Sequence, residues 1–283
     1  MSDNPKLVIE NIKLNNGKKN IRVIQDGYLM CGTKQRIVVD FMKTILKKNK
    51  IIQKFVYSGT YNGFGAVAAA YGAHKLGLKC DVFLSLEGMA KKDVIHSRQL
   101  TTLGKLGAKI YLCPTYREAR NLKYKIVDEV NNKGTSYILP MGLNDEEGVM
   151  INMLAKKIKM AAKNTALGEL KEPRIWMVAG SGGISMAISK AFPKAKIFIL
   201  LTGAGRHKKR VIQWAKSNNN ITIIRDEGVD KSDVSDRKQY YSSVSGYDDL
   251  IWPYVKKYSE NNDFIWNVAS DDYLLLPNMN TSR

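Results

Sequence analysis

The chain has 283 residues, and its content of 44% hydrophobic and 9% aromatic residues excludes a disordered or low-complexity protein. It carries 45 lysines and arginines against 26 acidic residues, a formal net charge of +19, where a magnitude of roughly 2 to 8 suits a small soluble domain. A field of this size attracts polyanions, of which nucleic acid is the commonest, although a lysine-rich genome with solvated lysine-rich faces would give the same composition.

The cysteines, the histidines and the hydropathy of the chain limit the kinds of site and the cellular compartment that the sequence predicts. Cys31, Cys80 and Cys113 are an odd number without a close pair, so they indicate neither a disulfide framework nor a cysteine-rich zinc site. The histidines show no metal-ligand spacing, and we expect no metal. No apolar run approaches the ~20 residues of a membrane span, and the first residues lack a secretory pattern. These features predict a cytoplasmic protein with no membrane partner.

The first unusual segment is LMCGTKQRIVVDF, residues 29–41, in which Lys34 follows a Gly-Thr step. Apolar residues then repeat with helical spacing and predict an amphipathic helix with one apolar face, formed by Ile37, Val38, Phe41, Met42, Ile45 and Leu46. A lysine at a helix start feels the positive end of the helix dipole, which together with desolvation lowers its pKa and makes it a better nucleophile. Lys34 is therefore a candidate reactive residue, although a solvated lysine is the commoner reason for this position.

From residue 54 onward, short apolar runs rich in β-branched and aromatic residues alternate with segments of helical period. The predicted strands are 54–58, 80–86, 109–113, 136–140, 174–180, 196–202 and 221–226. Strands and helices in regular succession require crossover connections, and therefore a mostly parallel sheet with helices on both faces. We predict an α/β fold of two doubly wound lobes, the larger from 1–44 and 145–283 and the smaller from 45–144.

Ligands of parallel sheets collect at the carboxyl ends of the strands, so the loops that follow the strands are the places to inspect. The segment VYSGTYNGFGAVAAAYGAHKLG (56–77) runs from a strand into an alanine-rich helix through Ser58, Gly59, Thr60, Tyr61, Asn62 and Gly63. Its hydroxyls, amide and free N–H groups suit a carboxylate or a ring hydroxyl. The alternative is that Asn62 is a helix cap and nothing more.

A second loop of this kind is VAGSGGISMAIS, in which a strand ending at Ala179 is followed by Gly180, Ser181, Gly182 and Gly183 and then by a helical pattern. Consecutive glycines let successive N–H groups turn toward one point, and the positive end of the next helix adds to them, so this loop predicts a phosphate site. It matches neither the nucleoside-triphosphate P-loop nor the dinucleotide fingerprint. A tight turn with close helix packing is the alternative.

In this chain order, a lysine able to form a Schiff base, an asparagine-bearing loop and a glycine-rich phosphate loop resemble the fold type II pyridoxal-phosphate enzymes, the tryptophan synthase β-like group. The nearest subgroup is that of 1-aminocyclopropane-1-carboxylate deaminase and D-cysteine desulfhydrase. CGTKQR is similar to its Gly-Gly-Asn/Thr-Lys-x-Arg motif, with Cys31 in place of the first glycine. SGTYNG, LPMGLND (139–145) and GSGG are similar to its Ser-Asn loop, its Pro-x-Gly segment and its phosphate loop. The resemblance covers about residues 22–205 and implies two lobes with the cofactor between them.

The resemblance implies a role for each matched residue. Lys34 would form the Schiff base with pyridoxal 5'-phosphate and later carry protons, and Asn62 would hydrogen-bond the ring hydroxyl. The substrate carboxylate would be held by Ser58, Thr60 and Tyr61, and the cofactor phosphate by the N–H groups of Gly180, Ser181, Gly182 and Gly183. Because the conjugated pyridine ring is an electron sink, loss of a proton or carbon dioxide from the substrate α-carbon would leave a delocalised carbanion.

Two further residues come from the end of the chain. The strand FIWNVAS ends in Ser270, which the resemblance assigns to the pyridine nitrogen, although plain core explains this strand equally well. The segment DDLIWPYVKKY (248–258) is similar to the family's Asp-Pro-x-Tyr segment and implies that Tyr254 is a catalytic residue near the substrate. Since relatives are commonly dimers, we also expect a homodimer.

Three functions follow from these patterns. The favoured one is a pyridoxal-phosphate-dependent lyase acting at the α-carbon of an amino-acid group attached to a DNA base, by decarboxylation or a related step of thymine hypermodification in a virus, and hence in the host cytoplasm. The net charge motivates it, because TGAGRHKKR (202–210) could meet DNA phosphates through Arg206, Lys208, Lys209 and Arg210; a solvated helix start is the alternative. The second is a deaminase or desulfhydrase of a free small amino acid. The third, a DNA-binding module that has lost the cofactor, is disfavoured by the intact GTK, YNG and GSGG segments.

Overall fold

The computed structural model describes residues 4–14, 17–88, 97–130, 134–145, 147–202, 205–224 and 240–274, with the side chains of 128–130 and 205–206 left out. The chain divides into two compact units. Unit 1 is Met1–Ile37 with Asn144–Ser270, and unit 2 is Val38–Leu143 with Asp271–Arg283.

The regular elements lie close to those that the hydrophobic pattern predicts. The strands are β1 (Ile9–Leu14), β2 (Lys19–Gln25), β3 (Lys54–Thr60), β4 (Lys79–Ser85), β5 (Lys109–Cys113), β6 (Ser136–Ile138), β7 (Arg174–Ala179), β8 (Lys196–Leu201), β9 (Ile221–Ile224) and β10 (Phe264–Asn267). The α-helices are α1 (Val38–Lys48), α2 (Phe64–Lys75), α3 (Arg98–Lys105), α4 (Tyr116–Val130), α5 (Val149–Ala162), α6 (Ala166–Glu169), α7 (Gly183–Ala191), α8 (Gly205–Lys216) and α9 (Trp252–Tyr258).

Unit 1 is built on a sheet with the strand order β1-β2-β10-β7-β8-β9. Its strands are parallel except for β1, which pairs with β2 in the antiparallel sense. One face of this sheet is covered by α9, whose Trp252 is fully buried in a cluster with Ile21, Trp176 and Ile265. The indole of Trp176 also stacks on the ring of Phe198, with centroids 4.3 Å apart. One part of the core of unit 1 therefore lies between the sheet and α9.

Unit 2 contains a second sheet, with the order β5-β4-β3-β6, in which the strands pair in parallel. Helix α4 packs on one face through Ala119 and Val127, which contact Val56 and Phe83 in a second buried cluster. Helix α2 is buried along most of its length, and Gly72 lets it approach α1 because a Cβ there would meet the side chains of Met42 and Val38. Small residues thus bring helix and sheet together, as the alanine-rich pattern predicts.

The predicted fold class, α/β with two mostly parallel sheets, is confirmed. The hairpin of β1 and β2 was not predicted, although its apolar residues alternate as in a half-buried strand pair. The chain changes unit at 37/38 and 143/144, against the predicted bounds of 44/45 and 144/145. Residues 271–274 lie with unit 2 and not with the larger lobe, because Thr102 donates to the carbonyl of Leu274 (2.5 Å) and Gln99 donates to the carboxylate of Asp271 (2.9 Å).

Within the described ranges, no helix is both long and apolar enough to cross a membrane. The same residues contain no cluster of histidine, cysteine, aspartate or glutamate side chains that could hold a metal ion. The three cysteines are buried free thiols.

Candidate active site

Lys34 lies in a short 3₁₀ helix, Gly32–Arg36, that ends before α1 begins at Val38. The sequence predicts Lys34 at the start of the amphipathic helix, and the structure corrects this by placing it four residues before α1. The 3₁₀ helix is fixed by the segment after β10, because the N–H of Thr33 donates to the carbonyl of Val268 at 2.9 Å. Gly32 has φ +62°, and a Cβ at this position would collide with the same carbonyl.

Burial is the main reason why the pKa of the Lys34 amine lies below its usual value; the ionised forms of Cys31 and Asp248 would act in the opposite direction. The Cys31 thiol is buried too, and desolvation raises its pKa, so it stays protonated at neutral pH. Lys34 thus has a larger neutral fraction than a surface lysine, and a neutral amine is the form that attacks a carbonyl carbon.

Asp248 is the buried carboxyl group that acts on Lys34, and the sequence interpretation missed it. One carboxylate oxygen accepts from the N–H of Ala269 at 3.1 Å and the other, Oδ1, is buried without a hydrogen-bond partner among the described residues. Desolvation raises the pKa of Asp248 well above its usual value. It belongs to the segment DDLIWPYVKKY, in which the resemblance implies a role for Tyr254 and not for Asp248.

Arg36, two residues after Lys34, is also buried and anchors the 3₁₀ helix. Its guanidinium forms a salt bridge with Asp26, with Nη2 2.5 Å from Oδ1 and Nε 3.0 Å from the same oxygen. It also donates to the carbonyl of Pro5 at 2.5 Å. A buried arginine needs such complete pairing, and the pairing ties the N-terminal segment to the helix that carries Lys34.

The glycine loop joins β7 to α7 in unit 1. Gly182 has φ +84°, and a Cβ there would collide with Val211 of α8, so both the backbone angle and the packing require glycine. The N–H of Gly180 donates to the hydroxyl of Tyr247 at 2.8 Å and is not free for a ligand, which corrects its predicted role as a phosphate donor. Within the described chain, the N–H groups of Ser181, Gly182 and Gly183 donate to no backbone carbonyl. These donors and the positive end of α7 are the groups that an anion site requires, and the phosphate site stays a prediction.

Asn144 lies beside this loop, and the sequence interpretation did not single it out. It is 7% exposed, and its amide nitrogen would stand 3.5 Å from a Cβ on Gly183. Its oxygen accepts from Nη2 of Arg210 at 3.0 Å, while Nδ2 has no hydrogen-bond partner among the described residues. An amide donor therefore lies next to the first turn of α7.

The predicted substrate loop lies in unit 2, and its first half is strand. Since β3 extends to Thr60, Tyr61 and Asn62 alone form the turn before Gly63, the residue that precedes α2. Thr60 and Asn62 are exposed. Ser58 is buried, and its hydroxyl accepts from Nζ of Lys123 at 3.1 Å, so it faces α4 and not the turn.

Tyr57 is a second residue that the sequence interpretation missed. Its ring lies where a Cβ on Gly59 or Gly65 would stand, and its hydroxyl accepts from the N–H of Gly142 at 3.1 Å. Gly142 belongs to the Pro-x-Gly segment, so one phenol links this segment to the start of α2. Burial raises the pKa of Tyr57 to about 12, and it stays a neutral hydroxyl at physiological pH.

The two predicted C-terminal site residues lie in different surroundings. Ser270 follows β10, is fully buried, and shares a 2.5 Å hydrogen bond with the hydroxyl of Ser242. Tyr254 is 3% exposed and packs in the apolar cluster with Trp252 and Val255. This placement does not support the expectation that Tyr254 faces the substrate.

The basic residues predicted to meet DNA lie at the start of α8. Lys208 and Lys209 are exposed, and the Arg210 guanidinium is turned to Asn144. The side chain of Arg206 lies outside the described residues. Two of these cations thus face solvent, and a third is turned to the amide beside the glycine loop.

Solved structures of similar fold are known. An ACC deaminase homologue matches 95% of this chain and 90% of its own length, with a TM-score of 0.67 and 14% identity. A fungal L-serine ammonia-lyase from Rhizomucor miehei matches 93% of both chains, with a TM-score of 0.66 and 12% identity. A hydrogen sulfide-producing enzyme from Fusobacterium nucleatum matches 96% of this chain and 97% of its own, with a TM-score of 0.63 and 12% identity. No protein-family model and no curated protein sequence matches the chain. What the chain shares with these enzymes is the fold.

Proposed function

We propose that the chain is a pyridoxal-phosphate-dependent lyase that acts at the α-carbon of an amino acid. The observation that carries this proposal is that unit 1 contains both a lysine whose pKa is lowered by burial and a glycine loop at a helix start, whose N–H groups at Ser181, Gly182 and Gly183 donate to no backbone carbonyl of the described residues. The fold adds support, since solved structures that share it include a deaminase homologue and an ammonia-lyase.

The residues present fit the cofactor. Pyridoxal phosphate presents an aldehyde, a ring nitrogen and a phosphate. The amine of Lys34 would hold the aldehyde carbon, and the N–H groups of Ser181, Gly182 and Gly183 would hold the phosphate. The hydroxyl of Ser270 would face the ring nitrogen. When bound, the cofactor supplies a conjugated ring that withdraws electrons from the substrate α-carbon.

Lys34 and Asp248 are the groups that would move and hold protons. Because its pKa is lowered, Nζ of Lys34 accepts a proton and returns it at near-neutral pH more readily than an exposed lysine does. Asp248 favours the charged form of Lys34, since its carboxylate raises the pKa of the amine. The side chain of Asp248 is positioned by its bond to Ala269, which leaves Oδ1 without a hydrogen-bond partner among the described residues.

Unit 2 would supply the groups that recognise the substrate. We keep Asn62 as the partner of the ring hydroxyl, and Thr60 and Tyr61 as ligands of the substrate carboxylate. Ser58 is a weaker candidate than these, because its hydroxyl already accepts from buried Lys123.

The test of the cofactor assignment is reconstitution of the full chain with pyridoxal phosphate. We expect an absorbance band near the visible edge that disappears on borohydride reduction, with the label found on the peptide that contains Lys34. Lys34→Ala should abolish the band and lower turnover by at least ~10³-fold. The exposed Lys47 is a matched control, and Lys47→Ala should keep both the absorbance band and the turnover. A chain that stays colourless after reconstitution would contradict the proposal.

The substrate we propose first is a free small amino acid, because the solved structures that share the fold include an ACC deaminase homologue and an L-serine ammonia-lyase. Candidate substrates are D-cysteine, L-serine and aminocyclopropane carboxylate, and release of ammonia or sulfide measures turnover. Conversion of one of them at enzymatic rates supports a free amino acid. The absence of turnover with each of them, in a protein that binds the cofactor, would contradict this choice.

An amino-acid group attached to a DNA base is the second candidate, and the charge favours it. The net charge is +19, and Lys208 and Lys209 are exposed on α8. We expect the wild type to bind duplex DNA with an affinity that falls steeply as the salt concentration rises. In the double variant Lys208→Glu and Lys209→Glu, the affinity should fall less steeply with salt. Mass spectrometry of nucleosides from DNA that carries amino-acid-modified thymine would detect a reaction. Unchanged nucleosides would exclude this substrate.

A further inference from the structure

We infer that the side chains of Asn144 and Arg210 complete the anion site at the glycine loop and bind the phosphate monoester of the cofactor. This inference rests on the proposed function and adds two ligands that neither the glycine motif nor the resemblance assigns. Both residues belong to unit 1, as does the loop.

The unpaired amide of Asn144 is the first observation. Arginine can only donate hydrogen bonds, so the contact with Arg210 fixes the amide oxygen toward the guanidinium and the NH₂ group away from it. That NH₂ group is buried and has no partner among the described residues, a state that buried donors rarely occupy. An acceptor that belongs to a ligand would satisfy it.

The position of the amide points to the ligand. Its nitrogen lies 3.5 Å from where a Cβ of Gly183 would be, at the first residue of α7. The N–H groups of Ser181 and Gly182 lie just before this residue, so main-chain and side-chain donors meet at one end of one helix. An anion with several acceptor oxygens satisfies such a group, and a phosphate monoester carries three.

Arg210 supplies the positive charge that a dianion needs. Among the described residues it has no carboxylate partner, and its contacts with Oδ1 of Asn144 and Sδ of Met186 both use Nη2. Packing of the next residue, Val211, against Gly182 holds this part of α8 beside the loop. The guanidinium is therefore anchored at one nitrogen, with its other donors available.

The nearby negative charge does not compete for this site. The carboxylate of Asp145 follows Asn144 in the chain, but its two oxygens accept from the N–H groups of Val149 and Met150 at 2.8 and 2.9 Å. Asp145 is thus used to cap the start of α5. Among the described residues, the loop thus has beside it the cation Arg210, the amide donor of Asn144 and the positive end of α7.

The test compares the binding of pyridoxal phosphate with that of pyridoxal, which lacks the phosphate, by absorbance titration of the full apo chain. Arg210→Met and Asn144→Leu should each lower the affinity for pyridoxal phosphate by about tenfold or more, as expected for charge-assisted and buried hydrogen bonds. Each should change the affinity for pyridoxal by less than about twofold. Arg210→Lys should restore part of the loss. Lys216→Met is the matched control, because Lys216 is an exposed cation on the same helix, and it should change neither affinity.

Several outcomes would overturn the inference. The inference is wrong if both variants keep the wild-type affinity for pyridoxal phosphate. It is also wrong if a variant loses affinity equally for pyridoxal phosphate and for pyridoxal, because an equal loss indicates a structural effect. If Asn144→Leu does not fold, the exposed Arg210 still decides the question, since Arg210→Met removes no buried group.

Inorganic phosphate separates this inference from the proposed function. If neither aldehyde binds the wild-type chain, the proposed function fails, and protection against thermal unfolding by inorganic phosphate then tests the anion site alone. Protection of the wild type that is reduced in Arg210→Met supports the site. Equal protection of both proteins, or none of either, contradicts it.

Discussion

Units 1 and 2 each carry a loop that runs from a parallel strand into a helix, and the two loops are built in opposite ways. In unit 1, the N–H groups of the glycine loop at Ser181, Gly182 and Gly183 and the amide nitrogen of Asn144 have no partner among the described residues. In unit 2, the turn after β3 rests on the ring of Tyr57, whose hydroxyl is already paired with Gly142. The first loop has donors that could bind an anion, whereas the second is held in place by packing and exposes Thr60 and Asn62. Among the ionisable groups that the two units bury are the acid Asp248 in unit 1 and the base Lys123 in unit 2, and desolvation shifts the pKa of each toward its neutral form.

The largest effect is expected for Gly182→Ala in unit 1. Its left-handed backbone angle and its collision with Val211 act together, and we expect a loss of about 3 kcal/mol in the free energy of unfolding, measured by urea titration. Gly246 has a similar φ of +71° but open space around it, so Gly246→Ala isolates the backbone cost. Equal losses in the two variants would show that packing against Val211 is unimportant.

A smaller loss is expected for Gly65→Ala in unit 2. The new methyl group would collide with the ring of Tyr57, and we expect about 2 kcal/mol of destabilisation after the higher helix propensity of alanine is counted. Tyr57→Leu in the same chain should recover part of this loss in a double-mutant cycle. The control is Gly104→Ala, which has open space on a helix and should stabilise the protein. If Tyr57→Leu does not reduce the loss of unfolding free energy caused by Gly65→Ala, the collision with the Tyr57 ring is not its cause.

The buried acid of unit 1 should give stability a pH dependence on the acid side. Because the pKa of Asp248 is raised in the folded chain, its contribution is complete below about pH 4 and is lost as pH rises through the folded pKa, by at most ~1.4 kcal/mol per pH unit. Asp248→Asn keeps the shape and should remove this slope. Thermal unfolding of both proteins from pH 4 to pH 8 measures the difference, and parallel curves would contradict the assignment.

The smallest effect is expected for the buried base of unit 2, and its slope has the opposite sign. Burial lowers the pKa of Lys123 to about 8 from 10.5, so the unfolded chain binds more protons between these values and stability rises with pH there. Lys123→Met should lose this rise, which linkage puts at about 2 kcal/mol between pH 8 and pH 10 and which solvent screening reduces to about 1 kcal/mol. Lys105→Met, at an exposed position, is the control and should follow the wild type. A wild-type curve that stays flat over this range would mean that Lys123 is solvated.

The sequence predicts the strands of both sheets from β3 onward and the two loops, because parallel strands buried on both faces read as continuous apolar runs. It does not reveal where a strand ends. Pairing of Thr60 with Ser85 extends β3, which turns Ser58 inward to Lys123. Asp248 and Asn144 were missed for a related reason, since an unpaired buried polar atom is a property of the packed chain and leaves no periodic signal. The β1–β2 hairpin did leave such a signal, in its alternation of apolar and polar residues.

The central position of β10 has a consequence for how the protein is made. This strand comes late in the chain yet pairs with β2 on one side and β7 on the other. While the ribosome is still synthesising residues before 264, β1 and β2 cannot join the rest of their sheet, and the contacts that fix the Lys34 helix through Val268 do not exist. Unit 2 can form most of its sheet before this point, whereas unit 1 waits for contacts of long sequence separation, which form slowly. The burial that lowers the pKa of the Lys34 amine is thus assembled only after Val268 has been synthesised, so shorter nascent chains carry Lys34 as an ordinary solvated lysine.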